Sequence, residues 1–400
     1  MRFCLITTFF PPLHFGGDAV FVANLANALA ERGHHVEVVH CADSFQLLRN
    51  GVPPSPMPRH PAVIVHSLHS DWGALSPLLT QISGRPGLKN AQLRKILAAG
   101  FDVVHWHNLS LVGGPGALEC AHAVRLCTLH DYWLICPTHI LFKFNREACT
   151  KRSCVRCSLA HKRPPQTWRS TRWFREALTH VDRFLAPSEF VRQQFRRSPL
   201  ALETTVLPHF IPPLASKSGP SVPRKSYYLY VGRLERAKGL QTVIPLFRNS
   251  GRTLYIVGAG NFERELRAQA AGAPNIVFLG RVPHAELDGL YAAARATIVP
   301  SICFETFGLI ALEALQHATP VVASNYGALP EVLANNPGGF VYRDITELSA
   351  ILDQLDSDPA TFEKAGQTGR SEIQRYSVEI HLDRYFAIIR EIRERQNKVQ

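Results

Sequence analysis

The feature that most constrains this chain is an alternation of short apolar runs with helical stretches, and it occurs twice. The first series opens on "FCLITT" (3–8), passes a loop "FFPPLHFGGDA", and continues through "AVFVANLANALAERG" to a new run "HVEVVH". Val20, Leu25, Ala28 and Leu29 recur at helical spacing there, and Gly33 stops the helix. "FDVVHWHN" (101–108) follows a helical stretch at 88–99, and "VRLCTLHD" (124–131) follows "GPGALECAHA". "DRFLAPSEF" (182–190) is a strand leading into a helix, with Ser188 as its cap. The second series has strands at "YYLYVGRL", "TLYIVGAG", "NIVFLGRV", "ATIVPS" and "PVVAS", with helical segments between them. Short apolar strands alternating with helices build a parallel sheet covered on both faces.

Between the two series lies "PPLASKSGPSVPRKS" (212–226), rich in Pro, Ser and Gly. A chain of 400 residues is long enough for two domains. The expected fold is therefore α/β: two Rossmann-like, doubly wound parallel-sheet domains facing a central cleft. The expected boundaries are 1–213 for the first domain, including a Cys-rich basic loop at 136–165, then a linker at 214–226 and a second domain at 227–375. The segment 376–400 contains a long amphipathic helix, expected to pack back on the first domain. Ligands of such sheets bind beyond the carboxyl ends of the strands, so strand-end loops of both halves are expected to form the site.

Composition excludes some classes. With 46% hydrophobic and 19% charged residues the chain is not disordered, and no apolar run reaches the roughly 18–20 residues that span a bilayer. The apolar N-terminus runs into Pro11–Pro12 without a small-residue cleavage site, so it reads as a first buried strand rather than a signal peptide. The formal charge is +12, and residues 143–197 hold fourteen Lys or Arg against four Asp or Glu. Such a patch suits an anionic partner (phospholipid headgroups, a lipid diphosphate or nucleic acid) or is simply a solvated basic face. Nine cysteines without a secretion signal suggest a reducing compartment. Four of them, Cys136, Cys149, Cys154 and Cys157, have the spacing C-x12-C-x4-C-x2-C. That spacing suits structural zinc or an iron–sulfur cluster, with disulfides or free thiols as the alternative.

Two stretches carry candidate chemistry. In "YVGRLERAKGL", Arg233 follows a strand and Lys238 lies five residues on, so both can reach one anion, and a diphosphate fits a guanidinium and an ammonium together. The plainer reading is an exposed basic turn. In "FETFGLIALEAL" (304–315) two glutamates, Glu305 and Glu313, interrupt an apolar run. Thr306 is the expected helix cap, and Phe307, Gly308 and Leu309 the first turn, whose free N–H groups suit an anion. Glu313, about one and a half turns along, is placed to accept hydrogen bonds from vicinal hydroxyls such as those of ribose. The alternative is a surface glutamate on an amphipathic helix. His130 ends a strand of the first series and is either a site residue or a structural histidine. The Asp356–Asp358 pair, before Pro359, reads as a loop rather than a metal site.

Taken together, these residues resemble one family. "FETFGLIALEAL" is similar to the E-x7-E motif of the retaining glycosyltransferases of family 4, which have the GT-B fold. The likeness extends to "FGGDAVFVANLANALAERGHHVEVV", "DVVHWHN", "APSEFVRQQF", "VGRLERAKG", "IVGAGNFERELR" and "PVVASNYGALPEVL". It implies a nucleotide-diphosphate sugar donor held mainly by the second domain. Arg233 and Lys238 would hold the diphosphate, Glu305 the sugar and Glu313 the ribose. The Gly16–Gly17 loop would close over the phosphates, and His130 would contact the sugar. The implied reaction retains configuration and needs no catalytic divalent metal. The implied acceptor is a glycan or lipid-linked hydroxyl, in cell-surface polysaccharide synthesis at the cytoplasmic face of a membrane, with an anionic membrane surface as a further partner. A subset of the family resembles this chain in placing cysteines after "HDYW…CP", where a metal would shape the acceptor side. Two other functions are weighed against this: a nucleotide-sugar epimerase of similar fold, and a metal-containing nucleic-acid-binding protein. The second leaves the E-x7-E stretch unexplained.

Overall fold

A computed structural model describes residues 1–49, 53, 55–120, 123–214 and 226–399. Apart from its two end residues, the expected linker lies outside the described residues. The chain divides into two compact units. One comprises Met1–His139, Ser153–Pro208 and His381–Gln400, and the other Ile140–Arg152 and His209–Ile380.

The first unit is built on seven strands: β1 (Arg2–Thr7), β2 (His35–Cys41), β3 (Val63–Leu68), β4 (Val103–Asn108), β5 (Val124–Thr128), β8 (Arg183–Ala186) and β9 (Thr204–Val206). Their order is β3-β2-β1-β4-β5-β8-β9 and every pairing is parallel. Phe3 of β1 faces Val36 on one side and Val103 on the other. The chain thus adds strands outward from β1 to β3, then returns to the opposite side of β1 at β4. Loops leaving β1 and β4 diverge at that reversal, which is where ligands lie in doubly wound sheets. The C-terminal helix, Val378–Val399, belongs to this unit from His381 onward. The buried Tyr385 ring stacks 6.2 Å from Phe3, its hydroxyl lies 3.0 Å from Nδ1 of His105, and Arg393 donates to Asp102 at 2.8 Å.

The residues Ile140–Arg152, expected within the first domain, group with the second. They form a hairpin of two short antiparallel strands, β6 (Phe142–Lys143) and β7 (Glu147–Ala148). Phe142 is buried against Ala237 and Cys303. The sheet of this unit has β10 (Tyr227–Val231), β11 (Thr253–Val257), β12 (Ile276–Gly280), β13 (Ala296–Val299), β14 (Val321–Ser324) and β15 (Gly339–Tyr342). Its order is β12-β11-β10-β13-β14-β15, again all parallel. Alternate residues supply the two faces: Tyr227 and Leu229 enter one apolar cluster, Tyr228 and Tyr230 the other. That is why these strands read as continuous apolar runs.

Asp356 is not in a loop. It lies in helix Ile345–Ser357, where Tyr228 donates to it at 2.8 Å and Arg252 and Arg295 pair with it. Asp358 caps the next helix, Pro359–Glu372, by accepting from the Thr361 N–H at 3.1 Å. The two carboxylates are spent on holding helices, each for its own reason.

Candidate active site

In the second unit the reversal of strand order falls between β10 and β13, and their carboxyl-end loops carry Arg233, Lys238 and Glu305. The loops are fixed to one another through their backbones. The Gly232 N–H donates to Val257 O at 3.0 Å, Leu234 to Ala259 O at 3.0 Å, and Ile302 to Ala237 O at 3.0 Å. After β14, the Ala328 N–H donates to Glu305 O at 2.8 Å. Two glycines make this closeness feasible. Gly239 has φ 74°, and a Cβ there would lie 1.7 Å from Pro300 O. At Gly327, φ 66°, a Cβ would meet Glu305 N at 2.3 Å. Only glycine meets both the left-handed backbone and the space.

Within this frame Lys238 Nζ donates to Glu305 Oε1 at 2.6 Å, and Ser301 donates to the same oxygen. Burial alone would push Glu305 up, but the Lys238 ammonium, the Ser301 hydroxyl and the Arg233 guanidinium outweigh it and hold the carboxyl below its ordinary range. Burial likewise opposes the charge on Lys238, and Glu305 overrides it, so the ammonium is held above its ordinary value. Both groups are therefore ionised near neutrality. Arg233 Nη1 donates to Glu235 at 2.7 Å, and the Tyr230 hydroxyl donates to Arg233 O at 2.9 Å, which fixes the backbone from which the guanidinium projects.

The helix of the two-glutamate stretch runs over Leu309–Gln316, two residues shorter at its start than the sequence suggests. Thr306 is not its cap. Gly308 is, at φ 97° and without a side-chain cap bond, because Phe307 turns into the apolar core and leaves the chain to enter the helix through a left-handed residue. A Cβ on Gly308 would press on Leu329 at 2.7 Å. Leu309 is then the first helical residue, while Phe307 packs edge-on to Tyr376 at 5.5 Å. Glu313 is half-buried, and the Tyr291 hydroxyl donates to its Oε2 at 3.0 Å. Tyr291 is itself fully buried, stacked on His317 at 5.6 Å, with its carbonyl accepting from Thr319 at 2.6 Å. Ser301, Gly239, Gly327 and Tyr291 were not singled out from the sequence. Gly239 directly follows Lys238 and could have been, whereas Tyr291 meets Glu313 only through helix packing.

In the first unit, Gly16 is the extended cap and Gly17 the first residue of helix Gly17–Glu31, which follows β1. Asp18, in the first turn, accepts from Asn108 Nδ2 at 3.1 Å, which ties that helix start to the end of β4. His130 follows β5. Its Nε2 lies 2.9 Å from Nδ1 of His107, and its ring is 5.4 Å from Phe21. Burial holds the His130 imidazole down at about 4, against the pull of Asp18 and Asp131, so it is neutral near pH 7. His130 thus belongs to a buried row with His105 and His107, which the sequence shows only as alternate positions of one strand.

The four cysteines of the expected metal site are divided: Cys136, Cys154 and Cys157 are in the first unit and Cys149 in the second. Among the described residues no group of three or more His, Cys, Asp or Glu side chains is arranged to hold a metal ion. A metal there rests on the spacing and on the resemblance. Among the described residues, too, no helix is long and apolar enough to cross a membrane.

Two parallel sheets that share the 3-2-1-4-5 order, with Arg233, Lys238 and Glu305 at the reversal of the second, define a two-domain Rossmann-like protein of the GT-B type. Comparison with known proteins agrees. Residues 15–213 match the profile described as Glycosyltransferase Family 4, and residues 214–372 that described as Glycosyl transferases group 1. The chain belongs to the family 4 glycosyltransferases and is a glycosyltransferase. It is 28% identical over 401 residues to a glycogen synthase of Mycobacterium tuberculosis, covering 93% of this chain and 90% of that protein. It is 27% identical over 411 residues to an MMP alpha-(1->4)-mannosyltransferase of Mycolicibacterium hassiacum, covering 89% and 90%. Among solved structures it shares its fold with sucrose-phosphate synthase from Thermosynechococcus elongatus, with a TM-score of 0.73 at 20% identity over 98% of this chain and 99% of that one. Anabaena HepE in complex with UDP and glucose is similar at a TM-score of 0.66 and 18% identity, over 97% and 99%.

Proposed function

We propose that this protein is a retaining glycosyltransferase that moves a sugar from a nucleoside-diphosphate sugar to a hydroxyl of a glycan or lipid-linked acceptor, in cell-surface polysaccharide synthesis at the cytoplasmic face of a membrane. The observation that carries the reading is the Lys238–Glu305 pair, with Arg233 beside it, at the strand-order reversal of the second unit. An ammonium has three N–H donors and Glu305 takes one, so the same cation can serve a diphosphate oxygen. Support comes from HepE, whose structures contain UDP and UDP-glucose.

In this reading Arg233, Lys238 and the helix start at Gly308 and Leu309 take up the charge that grows on the leaving diphosphate. Glu313, braced by Tyr291, accepts from the ribose hydroxyls, and Glu305 orients the sugar. The Gly16–Gly17 backbone serves the phosphates. His130, kept neutral by burial, can donate one N–H to a sugar hydroxyl without adding charge. The acceptor oxygen bonds to the anomeric carbon on the face from which the diphosphate departs. The bond from that carbon to the phosphate oxygen breaks, its electron pair leaves with the diphosphate, and a phosphate oxygen takes the acceptor proton. No residue is required as a dedicated base, and no step is assigned to a metal.

Calorimetry with UDP, GDP and ADP tests the donor site. Arg233→Ala and Glu313→Ala are each expected to weaken the preferred nucleotide about tenfold or more, the worth of one charge-assisted contact. Affinity unchanged in both variants refutes the assignment. An epimerase would convert the nucleotide sugar without an acceptor and keep the nucleotide attached, so product analysis separates the two reactions.

A further inference from the structure

Among the described residues, half of the large apolar side chains exposed on the first unit fall close together. Trp72, Leu75, Leu79, Ile82 and Leu88 are 66%, 50%, 46%, 53% and 42% exposed, and all fall within one short segment. Leu75, Leu79 and Ile82 stand at i, i+4 and i+7 of helix Leu75–Ser83, and so form one stripe along it. Trp72 lies in the turn that enters the helix. Leu88 lies beside the far end, where a Cβ on Gly87 would come 3.9 Å from Leu79. The opposite side of the helix is satisfied: Ser76 and Thr80 are buried and accept from the buried Lys89 ammonium at 2.8 and 3.2 Å. The stripe is therefore not a displaced core face.

The helix is also braced from behind. Trp168 packs under Gly84, whose φ is 70° and where a Cβ would lie 2.9 Å from the indole, and Trp168 Nε1 donates to Gln81 O at 3.2 Å. Arg169 lies over Trp168 and Trp133 at 4.6 and 4.8 Å, and Arg85 over Trp173 at 4.4 Å. A rigid scaffold thus presents five apolar side chains to solvent.

The charge around the stripe selects what covers it. Asp71, exposed beside Trp72, is followed by a stretch from Trp72 to Phe101 without Asp or Glu, in which Arg85, Arg94 and Lys95 are exposed. An apolar stripe with an indole at its edge, in a segment whose exposed cations outnumber its one flanking carboxylate, complements an anionic interface. We propose that this face, Trp72 to Leu88, docks the protein on an anionic lipid bilayer. The apolar side chains enter the headgroup boundary and the Arg and Lys residues stay at the phosphates. The stripe lies outside the basic segment 143–197 to which the sequence pointed, although Trp168 and Arg169 of that segment brace it, and it does not depend on the donor-site assignment.

Co-sedimentation of the full-length protein with phosphatidylglycerol/phosphatidylcholine vesicles, and with phosphatidylcholine alone, tests this. The wild type is expected to pellet with the anionic vesicles and to be released as salt rises from about 0.1 to about 0.5 M. Leu79→Glu/Ile82→Glu is expected to weaken binding about tenfold or more. Its unfolding temperature should not change, because both residues are exposed. Lys151→Ala/Arg152→Ala, in the basic hairpin, is expected to bind vesicles as the wild type does. Vesicle binding that survives Leu79→Glu/Ile82→Glu overturns the proposal, as does binding lost only with Lys151 and Arg152. A dimer in light scattering that the Leu79/Ile82 variant dissociates, with no vesicle binding by the wild type, assigns the stripe to a second copy of the chain and equally overturns it.

Discussion

Replacing Lys238 by Met removes the ammonium from the Glu305 carboxylate while keeping the length of the stem. The side chains are only 24% and 15% exposed, so solvent takes over little of what the ammonium supplied. Breaking a buried ion pair from one side costs about 3–5 kcal/mol. Partial exposure and the remaining Ser301 hydroxyl reduce this to about 2–3 kcal/mol near pH 7. The pH dependence then changes direction. In the wild type the folded pKa of Glu305 is depressed, so its contribution is present above the unfolded value of about 4.3 and lost as pH falls through the folded value. In Lys238→Met burial dominates and raises the folded pKa, so the variant is penalised as pH rises above about 4.3 and its deficit shrinks toward acid. Scanning calorimetry of the full chain measures both trends. In a double-mutant cycle with Glu305→Gln, removing the second partner should restore about 1–2 kcal/mol of the loss. Additive effects, with a coupling below about 0.5 kcal/mol, would show that the pair is not formed and refute the reasoning.

Tyr291→Phe removes the hydroxyl that donates to Glu313 and is expected to cost about 1–2 kcal/mol of nucleotide binding with little change in fold; equal affinity for the preferred nucleoside diphosphate by calorimetry would remove Tyr291 from the site. Gly239→Ala places a Cβ against Pro300 O at a left-handed residue and is expected to destabilise the second unit by about 2 kcal/mol or more, which urea unfolding would measure. Burial holds His40, His130 and His381 at about 4, and these imidazoles bind protons more readily once unfolded. Their stabilisation is complete above about pH 6.5 and lost as pH falls toward 4, by up to about 3 kcal/mol each, so unfolding free energy that stays flat between pH 7 and pH 5 would contradict their burial.

Most strands of both sheets were legible because parallel strands covered on both faces must be apolar throughout, as in "YYLYV" and "VVAS"; the strands β3, β9 and β15, at the sheet edges and less buried, were not. Arg233, Lys238, Glu305 and Glu313 were legible because each is a charged group attached to such a run. What was hidden depends on packing between distant segments. Tyr291 looks like any aromatic residue of an amphipathic helix until Glu313 comes to lie against it. Thr306 has the right chemistry for a helix cap, but the burial of Phe307 moves the start to Gly308. The grouping of Ile140–Arg152 with the second unit is written in no local pattern, since Phe142 finds its place only against Ala237 and Cys303.

The backbone contacts among the loops after β10, β13 and β14 bear on how such an enzyme can diversify. Gly239 touches Pro300, Gly327 touches Glu305, and each contact leaves no room for a methyl group. A residue inserted at either place would displace a neighbouring loop as well as its own. Lengthening these segments is therefore a poor route to a new donor preference. Changes of side chain on an invariant backbone, one position at a time, are the open route, and members of such a lineage should differ in the chemistry of these loops far more than in their length.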